Sequence, residues 1–406
     1  MADKIIRIAL VGLSPNAVTS WAAVAHLPYL QSARGKTQYK IVALLNSSKE
    51  AAEKARAHFN LPSTVKAYGD PALLAADDEV DLVSVVTRVD YHYSAAEPSI
   101  RAGKAVYVEW PLAESLERGV ALLGDSKEHE TSIIGFQARL SPVATTVKKL
   151  LASGRIGKVL ASQVRGFAAT AWGKRPGTIL AGGMEDMFTQ RAIGGNFVTI
   201  LYAHMIDLVH FVLGEFKDSH TTPQLRWPEV EVVDEAGAQL RTVRSDIPDL
   251  ITVNGELAPG AADIQEGATL SVLFRSGSPF KGELPFVWYI QGQTGELKIT
   301  NPIGPVLQAA TIPGIKIELY DFTTDEVTEI PWETEWKEWQ HELPTPGGKL
   351  VGDMYNRYAQ WFQQADRTAV PEGGDWPRLK DAIRRHEEID GVLKDFDRST
   401  WNKLAN

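Results

Sequence analysis

Two polar residues on an otherwise apolar helix are the clearest candidates for proton chemistry in this sequence. His204 and Asp207, in Ala203-His204-Met205-Ile206-Asp207-Leu208, stand about one helical turn apart. An imidazole oriented by a carboxylate can act as general acid or base near neutral pH. The same pair also fits a buried histidine satisfied by its neighbour. Tyr202, beside them, is a second group able to supply or take a proton. His210 lies further along and faces another way. Scattered histidines with no consistent carboxylate spacing argue against a metal site.

A second set of residues suits phosphate and ribose recognition. Gly12-Leu13-Ser14 closes an almost wholly apolar strand at residues 5–11. A tight turn there exposes backbone N–H groups and aims a helix N-terminus at a pyrophosphate. Ser14 stands where a second glycine is usual, and the loop over residues 15–20 is long before Trp21, which opens the following helix. The next strand ends at Leu45-Asn46-Ser47-Ser48-Lys49, with no acidic residue to clasp ribose hydroxyls or repel a 2′-phosphate. That favours NADP over NAD at Asn46, Ser47, Ser48 and Lys49, although a helix cap plus a solvated lysine reads equally well. Thr87, Arg88 and His92 follow the fourth strand at the carboxyl edge where open α/β sheets bind cofactors. His92 is otherwise a plain surface histidine. Glu109-Trp110-Pro111 ends the fifth strand.

The elements that must position these residues alternate regularly. Strands are predicted over residues 5–11, 40–45, 65–68, 81–86, 105–109 and 132–136. Helices fall between them at 21–31, 48–59, 94–102 and 116–130, with a further turn capped by Asp70 before Pro71. This pattern predicts a doubly wound parallel sheet. After residue 136 the pattern changes. A helix over 142–153 leads to a strand at 159–167, a Gly-rich irregular stretch to 195 and a buried helix over 197–213. β-type segments at 239–243, 250–257, 268–274, 286–291, 295–300 and 315–319 predict a large, mostly antiparallel open sheet with helices on one face. Helices over 353–366 and 378–395 close the chain.

At 406 residues the chain suits two domains. Its 44% hydrophobic and 23% charged content is that of a soluble globular protein. A net charge of −9 with no basic run argues against direct binding to nucleic acid or an anionic membrane. Such a protein can still act on DNA indirectly, by masking a bound partner. The absence of cysteine excludes disulfides, thiolate metal sites and cysteine nucleophiles. The first residues run straight into a strand, leaving no room for a signal peptide, and no apolar run nears the roughly 20 residues a membrane helix needs. A cytoplasmic protein is expected, with the nucleus open.

These residues together resemble the glucose–fructose oxidoreductase/inositol dehydrogenase/MocA (Gfo/Idh/MocA) family over nearly the whole length. The resemblance rests on the strand ending at Gly12, His26-Leu27-Pro28, Val80-Asp81-Leu82-Val83, Thr87 with His92, and Glu109-Trp110-Pro111. It continues through Gly135-Phe136-Gln137-Ala138-Arg139, Ser153-Gly154-Arg155-Ile156-Gly157, Gly194-Gly195 and His204-Met205-Ile206-Asp207. Residues 381–390 resemble the family's closing helix. Within the family the chain is most similar to the fungal branch that contains the yeast galactose/lactose regulatory protein. Glu109-Trp110, Trp172 with Arg175-Pro176, and Val198-Thr199 carry that likeness.

The resemblance implies an NAD(P)-binding Rossmann domain at 1–136, a substrate and dimerisation α/β domain at 137–370, and a returning helix at 371–406. It implies cofactor contacts at Glu109, Trp110, Pro111 and Gln137, and substrate contacts at Arg139, Trp172, Arg175 and His204. Sugar dehydrogenases of the family carry lysine where Trp110 stands, and catalytic relatives carry aspartate where Ile200 stands. Trp110 can stack or fill space but cannot shuttle a proton. Two readings follow. The favoured one is a divergent NAD(P)-dependent oxidoreductase, a homodimer acting on a small hydroxylated or carbonyl compound. The other is a non-catalytic, cofactor-sensing transcriptional co-regulator that binds an acidic or amphipathic protein segment.

Overall fold

The computed structural model describes residues 4–124, 131–169, 175–260, 262–305, 307, 314–364, 367, 375–401 and 403. The chain forms two compact units, residues 1–137 with 337–387, and residues 138–336 with 388–406.

In the first unit, strands β1 (Ile6–Val11), β2 (Tyr39–Leu45), β3 (Lys66–Tyr68), β4 (Leu82–Val85), β5 (Ala105–Val108) and β6 (Ile133–Ile134) form one parallel sheet, in the order β3-β2-β1-β4-β5-β6. Every residue of β4 is buried, as a central strand covered on both faces requires. The strand order reverses between β1 and β4, where Val11 pairs with Val85. The carboxyl ends of those two strands carry Gly12 and Thr87. Ser48 caps the helix Lys49–His58 and Asp70 caps Pro71–Ala75, each accepting a backbone N–H.

The single helix expected over 21–31 is broken into a π-helical turn, Ala22–His26, and a short α-helix, Leu27–Gln31. The cause is Pro28, which has no N–H to give the carbonyl of Val24. The Thr345 hydroxyl supplies the missing donor to Val24 O at 2.7 Å. A further helix, Ala33–Gln38, follows, capped by Ser32. The helix expected over 116–130 spans Leu116–Leu123; residues 125–130 lie outside the described residues.

The expected domain boundary at 370/371 also lies outside the described residues, and the return to the first unit begins earlier, at Lys337. The reason is the helix Pro346–Phe362, longer at its start than expected. Its Tyr355 carbonyl accepts from Tyr39 Oη at 2.6 Å, and its Asn356 Oδ1 accepts from Arg34 Nε at 2.8 Å. Glycine permits the close approach: a Cβ at Gly347 would stand 2.7 Å from the Trp21 ring, and one at Gly352 2.8 Å from Tyr29.

The second unit is built on an eight-stranded sheet. Its strands are β7 (Val159–Ala168), β9 (Phe216–Gln224), β12 (Leu250–Leu257), β13 (Ile264–Ser276), β14 (Phe286–Gly292), β15 (Gly295–Asn301), β16 (Lys316–Asp321) and β17 (Glu326–Glu329). All neighbours are antiparallel except β7 and β13. The edge strands β9 and β17 have no sequence signal, because they are polar and mostly exposed, without inward-facing alternation. A separate three-stranded sheet joins β8 (Thr178–Leu180), β10 (Glu229–Val233) and β11 (Gln239–Arg244). The helix Ala203–Leu213 is buried at nearly every position and lies against β7, where a Cβ on Gly166 would meet Met205 Sδ at 2.9 Å. No helix among the described residues is long and apolar enough to cross a membrane.

Candidate functional site

In the first unit the candidate nucleotide site is the edge of the parallel sheet at its reversal point, where open α/β sheets receive nucleotides. Gly12 has φ +90°, and a Cβ there would stand 2.4 Å from Val86 O. Its N–H donates to Leu45 O at 3.0 Å. Asn46 Nδ2 donates to Leu13 O at 2.8 Å, tying the second strand's end to the turn. Among the described residues, the buried atoms Asn46 Oδ1 and Thr87 Oγ1 have no hydrogen-bond partner. A glycine cradle with two unsatisfied polar atoms around it fits a dinucleotide, which would supply partners for both.

The other predicted contacts divide. Ser14 Oγ accepts from Asn16 N at 3.2 Å, bracing the loop from within. Trp21 covers Gly347. Ser48 is occupied as a helix cap, while Ser47 and Lys49 are exposed. Arg88 is exposed and pairs with Asp90. Gln137 is buried, and its Oε1 has no partner among the described residues.

Glu109 and Trp110 are turned into the first unit's interior. Glu109 Oε1 lies 2.9 Å from His26 Nε2, and His26 Nδ1 lies 2.8 Å from Tyr355 Oη, which in turn lies 2.9 Å from Ser84 Oγ. All four residues are buried. Gly135 makes room for the carboxylate, since a Cβ there would stand 2.5 Å from Glu109 Oε2. Trp110, 5% exposed, packs its ring 4.7 Å from Phe136 and 4.6 Å from His386. Trp110 is thus a core tryptophan. His26 and Tyr355 have no lone sequence signal for this role, because their meeting depends on the late helix returning.

His92 is buried rather than on the surface. Its Nδ1 lies 2.7 Å from Pro111 O and its Nε2 2.9 Å from Thr87 O, so the ring links two predicted cofactor loops through their backbone. Burial pushes the imidazole below its ordinary pKa, with the two carbonyl oxygens pulling the other way without reversing it. A histidine with a depressed folded-state pKa binds its proton more readily when unfolded. Its contribution is therefore present above the ordinary value of about 6.5 and lost as pH falls through it. Thermal midpoints measured from pH 7.5 to 5 should fall for the wild type and fall less steeply for His92→Gln. Equal slopes would remove His92 from the pH response.

In the second unit, Asp207 is held at both oxygens by Arg139, with Nε donating at 2.9 Å and Nη2 at 2.7 Å. The carboxylate expected to orient His204 and the guanidinium expected to meet substrate therefore form a two-point pair, their side chains 1% and 13% exposed. His204 is 6% exposed one turn earlier on the same helix. It follows a π-helical turn, Phe197–Tyr202, that carries Ile200. Such turns recur at functional sites. Tyr202 is fully buried and donates to Glu388 Oε1 at 3.1 Å. Arg175 pairs with Glu231 in the small sheet, and Trp172 lies outside the described residues. Lys148 was not anticipated. Its ammonium sits 3.9 Å from the Phe211 ring centroid, and burial, with Arg139 adding, lowers its pKa.

Comparison with known proteins agrees with this division. Residues 6–134 match the Gfo/Idh/MocA profile, an oxidoreductase family with an NAD-binding Rossmann fold. Residues 142–301 match the C-terminal domain of Gal80p. The chain belongs to the Gfo/Idh/MocA family, with a Gal80-like second domain. One relative of this family member is the dehydrogenase aclE of Aspergillus oryzae, 29% identical over 97% of this chain and 96% of its own length. Among solved structures, a super-repressor mutant of Gal80p from Saccharomyces cerevisiae superposes with a TM-score of 0.81 at 21% identity, covering 99% of this chain and all of that one. Levoglucosan dehydrogenase in complex with NADH and levoglucosan gives 0.71 at 15% identity, covering 97% and 98%. Both structures share the fold.

Proposed function

We propose that this protein is an NAD(P)-dependent oxidoreductase of small hydroxylated or carbonyl compounds. The observation that carries the reading is the Gly12 turn at the sheet's reversal point, with Asn46 Oδ1 and Thr87 Oγ1 buried beside it and without a hydrogen-bond partner among the described residues. The end-to-end relationship to a fungal dehydrogenase supports turnover. The nicotinamide supplies the hydride chemistry when bound. The protein's part is to hold the cofactor at the Gly12 edge and to move a proton through His204, with Trp110 and Ile200 standing in place of the usual lysine and aspartate. Exposed Lys49, with Asn46 and not an acidic residue closing β2, favours NADP over NAD. The protein would work as a homodimer joined through the open sheet of the second unit, in the cytoplasm, without membrane or direct nucleic-acid contact.

The Gal80-like match over residues 142–301 and the burial of Trp110 favour a second reading. In it the protein is a cofactor-sensing co-regulator that binds an acidic or amphipathic segment of another protein. One experiment separates the two. NADP(H) and NAD(H) are titrated by calorimetry, then incubated with the protein and panels of sugars, polyols and ketones. Binding with substrate-dependent change in NAD(P)H absorbance is expected, with Lys49→Ala weakening NADP more than NAD. Tight dinucleotide binding without turnover on any panel would favour the regulator. No binding at all would remove both readings.

A further inference from the structure

His210 presents a buried nitrogen to two carboxylates at a spacing that suits a metal ion rather than a hydrogen bond. It lies near the end of the helix Ala203–Leu213, which stops at Gly214 with φ +118°. That glycine reverses the chain and brings Glu215 back beside the histidine. The two residues lock each other: Gly214 N–H donates to His210 O at 2.8 Å, and His210 Nδ1 lies 2.8 Å from Gly214 O. Phe216 packs edge-on against the imidazole, with centroids 4.8 Å apart. Donation from Nδ1 leaves the Nε2 lone pair free to act as a ligand, and metal-bound histidines commonly give their other N–H to a carbonyl in this way.

Nε2 is buried and has no hydrogen-bond partner among the described residues. It faces Glu388 Oε1 at 3.6 Å and Glu215 Oε2 at 3.9 Å. An imidazolium shared between two carboxylates would draw them to about 2.8 Å. Two ligands each about 2.1 Å from one tetrahedral ion stand about 3.4 Å apart. The three ligand atoms lie within 4.8 Å of one another, and the side chains of Glu215 and Glu388 are 31% and 18% exposed. Tyr202 donates to the same Glu388 Oε1 at 3.1 Å, orienting the more buried carboxylate. The spacing of one ligand at 210, one at 215 and one at 388 has no short sequence signature, which is why the histidines read as scattered.

We propose that His210, Glu215 and Glu388 form a binding site for one divalent transition-metal ion, Zn²⁺ by its ligands: one imidazole nitrogen and two carboxylates, with water completing the shell. The two carboxylates balance the ion's charge. The site pins the end of the helix Ala203–Leu213 to the second-unit part of the helix Leu379–Arg398, a structural role independent of cofactor chemistry.

The test uses the full chain, stripped with EDTA, exchanged into chelator-free buffer and titrated with Zn²⁺ alone by calorimetry at pH 7.5, with thermal unfolding in parallel. One equivalent per chain should bind, and the thermal midpoint should rise to a plateau at that stoichiometry. Glu388→Gln and His210→Gln should each weaken binding by about 100-fold or more. Glu215→Gln, at a partly exposed position that leaves the fold intact, should weaken it at least about tenfold. No saturable binding to the wild type would overturn the proposal. So would affinity unchanged in Glu215→Gln and in a folded Glu388→Gln, which would assign the ion to other carboxylates.

Discussion

Replacing Gly12 by valine is expected to lower NADP(H) and NAD(H) affinity by more than about 100-fold, equivalent to about 2.7 kcal/mol. Two independent penalties act at this position. The backbone sits at φ +90°, where a β-branched residue is strained by about 1–3 kcal/mol. The new Cβ would also stand 2.4 Å from Val86 O, 2.8 Å from Thr87 Cγ2 and 3.0 Å from Val86 C. Two of those atoms are backbone and cannot swing aside. The ends of β1 and β4 must separate, which displaces Thr87 and withdraws the turn from a bound pyrophosphate. Thr87→Val makes the graded control. It keeps the backbone, removes only the hydroxyl and should cost about tenfold, the worth of one hydrogen bond. Far-UV circular dichroism would show that the sheet survives in both. Wild-type affinity in a folded Gly12→Val protein would mean that the dinucleotide binds elsewhere.

The legibility of this fold in its sequence followed burial. Strands covered on both faces, such as Leu82–Val85, announce themselves as unbroken apolar runs, and the parallel order followed from their alternation with capped helices. Strands at an edge did not: Phe216–Gln224 and Glu326–Glu329 are polar and mostly exposed, with no alternation to mark them. The candidate site was legible where it is local. Gly12, Asn46 and Thr87 each end a strand that could be placed, so their convergence at one sheet edge was foreseeable. Pairings that bridge long stretches of chain were not. Nothing near Glu109 points to His26, and nothing near His210 points to Glu388. Asp207 is the instructive intermediate. Its burial beside His204 was readable, but its partner, Arg139, depends on how the helix Ala203–Leu213 meets the turn Gln137–Leu140.

That partner changes what substitution of Asp207 should do. If Asp207 only oriented His204, Asp207→Asn would leave stability intact and reduce turnover by fixing the wrong tautomer. With both oxygens held by Arg139 at 2.9 and 2.7 Å and the side chain 1% exposed, the amide removes a two-point counter-charge from a largely buried guanidinium. Breaking such a pair from one side costs about 3–5 kcal/mol, whereas replacing both members by apolar residues of similar volume is often close to neutral. Asp207→Asn and Arg139→Met should therefore each lower the denaturant midpoint, and the Arg139→Met/Asp207→Leu double variant should recover much of the loss. His204→Ala should follow a different course. It should reduce NAD(P)H-linked turnover by roughly 10²–10⁴-fold while leaving cofactor affinity nearly unchanged, because the imidazole serves the proton and not the dinucleotide. An unshifted midpoint in Asp207→Asn would show that the pair does not hold the second unit together. Turnover that survives His204→Ala intact would move the proton-carrying role to another side chain, with the half-buried Lys148 beside Arg139 the first to substitute next.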